Sequence, residues 1–159
     1  MAEQKNLTQA KAVFDTICRT LDNNDWRYKM DEEKLSINFG IRGDDFPIDI
    51  AMYVDAEKQL VLLMSRMPYT IQEDKRVELA VAISAVNNLL VDGCFDYDLA
   101  SGNIYFRLTN SYIGCDLSEI VFSYMLYAAS RMIDEYNDKF LMISKGMLTL
   151  QQFMSTLND

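Results

Sequence analysis

Three acidic residues, Asp92, Asp96 and Asp98, crowd the short stretch VDGCFDYDLA in a chain that contains no histidine. Two apart on a strand, Asp96 and Asp98 would share one face, and carboxylate oxygens gathered in this way suit calcium or magnesium. The stretch lacks the D-x-D-x-D-G ladder and the distant bidentate glutamate of a calcium loop. Solvated turn acids are therefore the plainer reading, and Asp44-Asp45 and Asp31-Glu32-Glu33 read the same way. The absence of histidine removes Ser–His and Cys–His nucleophile pairs, the commonest general base and histidine metal sites together. Neither G-x-x-x-x-G-K-[ST] nor G-x-S-x-G occurs. The cysteines, Cys18, Cys94 and Cys115, are widely spaced and form no C-x-x-C, so no zinc ribbon or thioredoxin-type pair is written. Cys18 and Cys94 read as small hydrophobes against a core, with a reactive thiol as the alternative. The expectation is a protein that is not an enzyme and holds no cofactor or metal. A small enzyme using a pair of carboxylates is the remaining catalytic alternative.

The elements that would position these residues follow from apolar spacing. Ala10, Val13, Phe14, Ile17 and Leu21 recur at helical intervals, with Asn6-Leu7-Thr8-Gln9 as a candidate cap and an end near Asn23-Asn24. Leu35, Ile37, Phe39 and Ile41 alternate with polar residues, and the alternation resumes from Phe46 to Val54 after Gly43-Asp44-Asp45, which predicts a hairpin. The run Leu60-Val61-Leu62-Leu63-Met64 is apolar on both faces, so deep burial is expected of it. Thr70-Ile71-Gln72-Glu73 predicts a cap for a helix running to Leu90-Val91 and stopping at Gly93. Phe95 and Tyr97 then share one face, Leu99–Gly102 turns, and Ile104, Phe106 and Leu108 return opposite Tyr105 and Arg107. Asp116–Glu119 caps the longest helix, Gly146 ends it, and Thr149-Leu150-Gln151-Gln152 opens a short last one.

At 159 residues the chain is expected to form one domain over 1–159. The opening MAEQKNLTQAK carries no apolar stretch and does not read as a signal peptide; no run reaches the length of a membrane span. A cytoplasmic address without membrane contact is the expectation. The 24 acidic residues exceed the 15 basic ones, giving a formal charge of −9, which would repel a phosphate backbone. The nearest approach to a basic patch, Arg19, Arg27 and Lys29, is interrupted by Asp22, Asp25 and Asp31. No nucleic-acid partner is expected.

Trp26 and Tyr28 before the first strand, FPIDIAMYVD, LVLLMSRMPYTI, the helix ending NNLLVDGCFDYD, and GNIYFRL come in an order that resembles the YbjN-like family. These are small bacterial proteins labelled sensory transduction regulators. The resemblance covers about residues 7–143 and leaves 146–159 as a short helical tail. It implies an α+β fold like that of the type III secretion chaperones, in which a twisted antiparallel sheet of about five strands is covered by helices in the order α-β-β-β-α-β-β-α. It also implies a regulatory or adaptor protein acting through protein contacts, with a secretion-type chaperone for an extended client segment as the alternative.

Two candidate surfaces follow. The tyrosines Tyr53, Tyr97 and Tyr105 are expected to offer contact area to a protein partner beside an open sheet edge, and the acidic surface is expected to favour a basic client. Val77, Val81, Ser84 and Asn88 line one side of the second helix, whose apolar residues cover more than one stripe. That side is the candidate interface of a homodimer.

Overall fold

The computed structural model describes residues 2–157. Helix α1 (Ala2–Asn23) is followed by four strands, β1 (Lys29–Asp31), β2 (Ser36–Arg42), β3 (Pro47–Asp55) and β4 (Leu60–Thr70). A 3-10 turn (Glu73–Lys75) leads into α2 (Arg76–Asn87), then come β5 (Cys94–Asp98), β6 (Asn103–Ser111), α3 (Glu119–Ser144) and α4 (Leu150–Thr156). The strands form one antiparallel sheet of six, in the order β1-β2-β3-β4-β6-β5. The α+β class and the helix-covered antiparallel sheet are as expected. The strand count is six rather than five, because β1 is only three residues long, too short to show an alternation.

The alternation of β2 and β3 works as read. Ile37, Met52, Leu63 and Leu108 stand in register across β2, β3, β4 and β6, and all four are buried. Helix α1 packs against β3, α2 against β5, and α3 against β4 and β6, so the helices share this face. Phe95 meets Phe106 and Phe140 edge-on at 5.1 and 5.2 Å, and Phe140 reaches Phe153 of α4. The C-terminal tail is thereby part of the core: Phe153 is fully buried, and α4 packs on α2.

Several helix boundaries differ from those the sequence suggested. Helix α1 already runs from Ala2, so Thr8 lies inside it and its hydroxyl donates to the Gln4 carbonyl rather than capping. Thr70 ends β4, its hydroxyl 3.2 Å from Asn103 Oδ1, and α2 starts later, at Arg76. That helix ends at Asn87, before the expected Leu90-Val91. Helix α3 takes Ser118 as N-cap with no side-chain bond. The box at Thr149 does form, with Gln152 N–H donating to the Thr149 hydroxyl and Thr149 N–H to Gln152 Oε1. Gly146 closes α3 at φ 68°, with Met147 N–H bonded to the Met142 carbonyl and Gly146 N–H to that of Ile143. This paired closure needs a left-handed residue, which glycine supplies.

Candidate protein-binding surface

Among the described residues the second face of the sheet carries no helix, and its side chains are those left over by the buried alternation. Asn38, Ala51, Met64 and Arg107 stand side by side across β2, β3, β4 and β6. On one side of that row lie Tyr53, Leu62 and Thr109, and on the other Arg66, Tyr105 and Asp96. A shallow groove of about 720 Å³ runs over this face. Its floor is Ala51 and Met64, Gly40 leaves it open, and Tyr53 and Tyr105 flank it. Arg27, Lys29 and Arg66 stand around it against a single lining carboxylate, Asp49.

Of the three tyrosines expected to act together, the structure brings two together. Tyr53 is 41% exposed and shares the open face with Tyr105. Tyr97 does not join them: it pairs with buried Ile104, packs on the core under the helices, and has a buried hydroxyl without a protein partner among the described residues. Strand parity sends residue 97 to the same face as Phe95, opposite to Tyr105. The expected open edge is also narrower than the sequence suggested. At β5 the Asn87 side chain accepts from Phe95 N–H at 2.8 Å and donates to the Phe95 carbonyl at 2.9 Å. It takes the place of a neighbouring peptide group and closes that edge at Phe95. The other edge, β1, offers three residues.

The acids of the VDGCFDYDLA stretch have structural partners. Asp96 receives two bonds from Arg107, at 2.6 and 3.1 Å, and this guanidinium holds its carboxyl below the usual range. Asp98 ties the following turn, accepting from Ala100 N–H at 2.9 Å and the Ser101 hydroxyl at 2.6 Å. Asp92 accepts from the Tyr124 hydroxyl. Among the described residues no three His, Cys, Asp or Glu side chains gather as metal ligands. Burial pushes the Cys18 and Cys94 thiols up, away from the thiolate a nucleophile needs. Neither is a full core residue, both being half-buried, and Cys115 is exposed.

Val77, Val81 and Ser84 of α2 and Asn88 at its C-cap do share one exposed side, next to Met154 of α4 and Leu157 at its C-cap. Leu79, Ala82, Ile83 and Val86 are the residues of α2 that enter the core. One side of α2 thus enters the core, while among the described residues the other is bordered by α4 and keeps Val77 and Val81 exposed.

Sequence reasoning missed Ala51, Met64, Arg27, Lys29 and Arg66 as groove residues. The signal was present in the double-faced apolar run from Leu60 to Met64. Read as deep burial, it instead gives one face to the core (Val61, Leu63) and the other, half-buried, to the open side (Leu62, Met64).

No protein-family model matches the chain, and no curated protein matches it in sequence. Solved structures do match in shape. The crystal structure of YbjN, a candidate transcription regulator from E. coli, aligns at TM-score 0.57 and 14% identity over 79% of this chain and 92% of that one. The HopA1-SchA chaperone–effector complex aligns at 0.58 and 13% over 85% and 97%, and the ExsC-ExsE complex at 0.56 and 13% over 79% and 92%. Identities this low establish the architecture alone, and on that ground the chain has a YbjN-like, type III secretion chaperone-like fold.

Proposed function

We propose that the chain is a non-enzymatic regulatory or adaptor protein that works by holding a protein partner on the open face of its sheet. The observation that carries this reading is the groove itself: apolar floor, flanking tyrosines and charged surround on a face with no helix. Half-exposed aromatic and apolar side chains inside a polar border are the composition of a contact surface. The clustered carboxylates Asp96, Asp98 and Asp92 are committed to Arg107, a turn and Tyr124. Two of the structural neighbours are protein complexes, which favours a second reading of the same surface, a secretion-type chaperone holding an extended client segment.

Gly40 provides the test. A Cβ added there meets only Asp49 Oδ1, at 3.5 Å, so Gly40→Tyr fills the groove without straining the sheet. Wild type and Gly40→Tyr would each be used to capture partners from the native cell lysate. The expected result is a protein retained by the wild type and lost with Gly40→Tyr. A partner kept equally by both would refute the groove as its site. A partner whose captured portion is a short unfolded segment would select the chaperone reading, and a folded regulator the adaptor reading.

A further inference from the structure

The charge of the groove is opposite to that of the molecule. Acids outnumber bases 24 to 15 in the chain, yet the groove lining carries Arg27, Lys29 and Arg66 against Asp49 alone. Six basic residues, Arg19, Lys34, Lys58, Lys75, Arg107 and Lys139, are occupied by carboxylates. Among the described residues Arg27 and Lys29 form no ion pair. Arg66 is held in place by a 2.7 Å bond to Asn103 Oδ1, a neutral acceptor that leaves its charge uncompensated. Screening confines each charge to about 10 Å at ordinary salt, so an occupant of the groove responds to these three cations, Asp49 and Asp31, the last of which is already paired with Lys34, rather than to the −9 of the whole.

Resting on the reading above, we infer that the occupant is an extended polypeptide segment with acidic side chains on either side of an apolar one. Lys29 on β1 stands in the row of Met64, and Arg66 lies two residues further along β4, so the two are about 16 Å apart across three strand spacings. An extended chain covers about 14 Å from residue i to i+4, and the long Lys29 and Arg66 side chains span the rest. Residues i and i+4 of such a segment face the same way, as does i+2 between them. Two carboxylates at i and i+4 would meet Lys29 and Arg66, while an apolar side chain at i+2 would lie on Ala51 and Met64. The pattern is Glu-x-Leu-x-Glu. A nucleic acid would also bring negative charge and could stack on tyrosines. However, its unbroken phosphate row would bring more negative charge than the lining can meet, whereas a segment with two acids matches the net charge of three cations and Asp49.

Fluorescence anisotropy with labelled peptides tests this directly. The probes are a peptide of about ten residues built on Glu-x-Leu-x-Glu, its Gln-for-Glu and Lys-for-Glu versions, and an oligo-dT strand of similar length. Wild type should bind the Glu peptide roughly tenfold or more tighter than the Gln peptide, with the difference shrinking at high salt. The double variant Arg27→Glu/Lys29→Glu changes only exposed side chains and should reverse the preference towards the Lys peptide. Gly40→Tyr should abolish binding of every version. Equal affinity for Glu and Gln peptides, both lost with Gly40→Tyr, overturns the acidic specificity and leaves the groove as a protein-binding site. Binding indifferent to Gly40→Tyr, or confined to oligo-dT, overturns both the inference and the reading it rests on. No binding of the Glu peptide overturns the inference.

Discussion

Gly93 precedes a strand and Gly40 lies within one, and their surroundings set them apart. Gly93 has φ 75°, and a Cβ there would lie 2.5 Å from the Phe106 ring and 2.9 Å from the Arg107 carbonyl. Gly40 has ordinary strand geometry and open space towards the groove. The sequence suggested that Gly93 closes the second helix. The helix stops earlier, at Asn87, and the demand for glycine comes from the tight approach of the turn to β6. Gly93→Val combines left-handed strain with a clash against a buried ring, at a cost of several kcal/mol, whereas valine suits a strand position such as Gly40. Chemical denaturation should give Gly93→Val a clearly lower midpoint than Gly40→Val; equal midpoints would contradict this account. The need for glycine at position 93 was legible from its type and the Asp-Gly pair. Its cause was not, because the ring it protects is thirteen residues away in sequence and meets it only through the β5–β6 pairing.

Among the elements, the edge strand β5 shows what local pattern can and cannot reveal. Its inward residues follow alternation, but its attachment depends on two side chains from elsewhere. Asn87, at the end of α2, bonds to both backbone groups of Phe95, although from sequence it reads only as a residue ending a helix. Asn87→Ala leaves those groups unpaired, at a cost of about 1–3 kcal/mol, and uncovers a strand edge. Denaturation should show the loss, and the Phe95 amide should exchange faster with solvent. An unchanged exchange rate would mean that Asn87 is not the clamp. On the outer face Arg107 grips Asp96 across the β5–β6 pair. Because the folded pKa of Asp96 is depressed by this bond, its stabilisation is complete above the unfolded carboxylate value of about 3.9 and disappears as pH falls through the lower folded value. Both side chains are 41% exposed, so the contribution is about 1 kcal/mol or less. Urea midpoints should fall as pH drops below about 4, and Asp96→Asn should flatten that fall. Helix starts were the least legible elements. Of the boxes at Thr70, Asp116 and Thr149, only the last forms as read, since Thr70 is drawn into β4 and α3 begins at Glu119 with Ser118 as its N-cap. A four-residue cap signal cannot outweigh strand pairing or packing that fixes the helix elsewhere.

For the whole molecule, averages concealed the first of the two surfaces that matter. A net charge of −9 argues against a cationic site, and no composition count can show that Arg27, Lys29 and Arg66 converge across the sheet. The second surface was legible, because helical periodicity alone puts Val77, Val81, Ser84 and Asn88 on one line. What periodicity left open was whether the chain itself covers that line. Helix α4 comes alongside it through Met154 and Leu157, yet Val77 remains 73% and Val81 48% exposed. Neither side chain enters the core, and both are open to a partner. We propose that a second copy of the chain supplies it, with the same side of α2 meeting itself across a two-fold axis. A stable pair would bury about 1,600 Å² in total, more than these residues provide alone, so α4 would join the interface. Light scattering at micromolar concentration should then give twice the 18.3 kDa of one chain. Because both valines face solvent in the single chain, Val77→Glu/Val81→Glu should leave the thermal midpoint of the monomer fold close to wild type and shift the mass to that of one chain. A wild-type mass of one chain would end the proposal, and a double variant that stays dimeric would move the interface to another face.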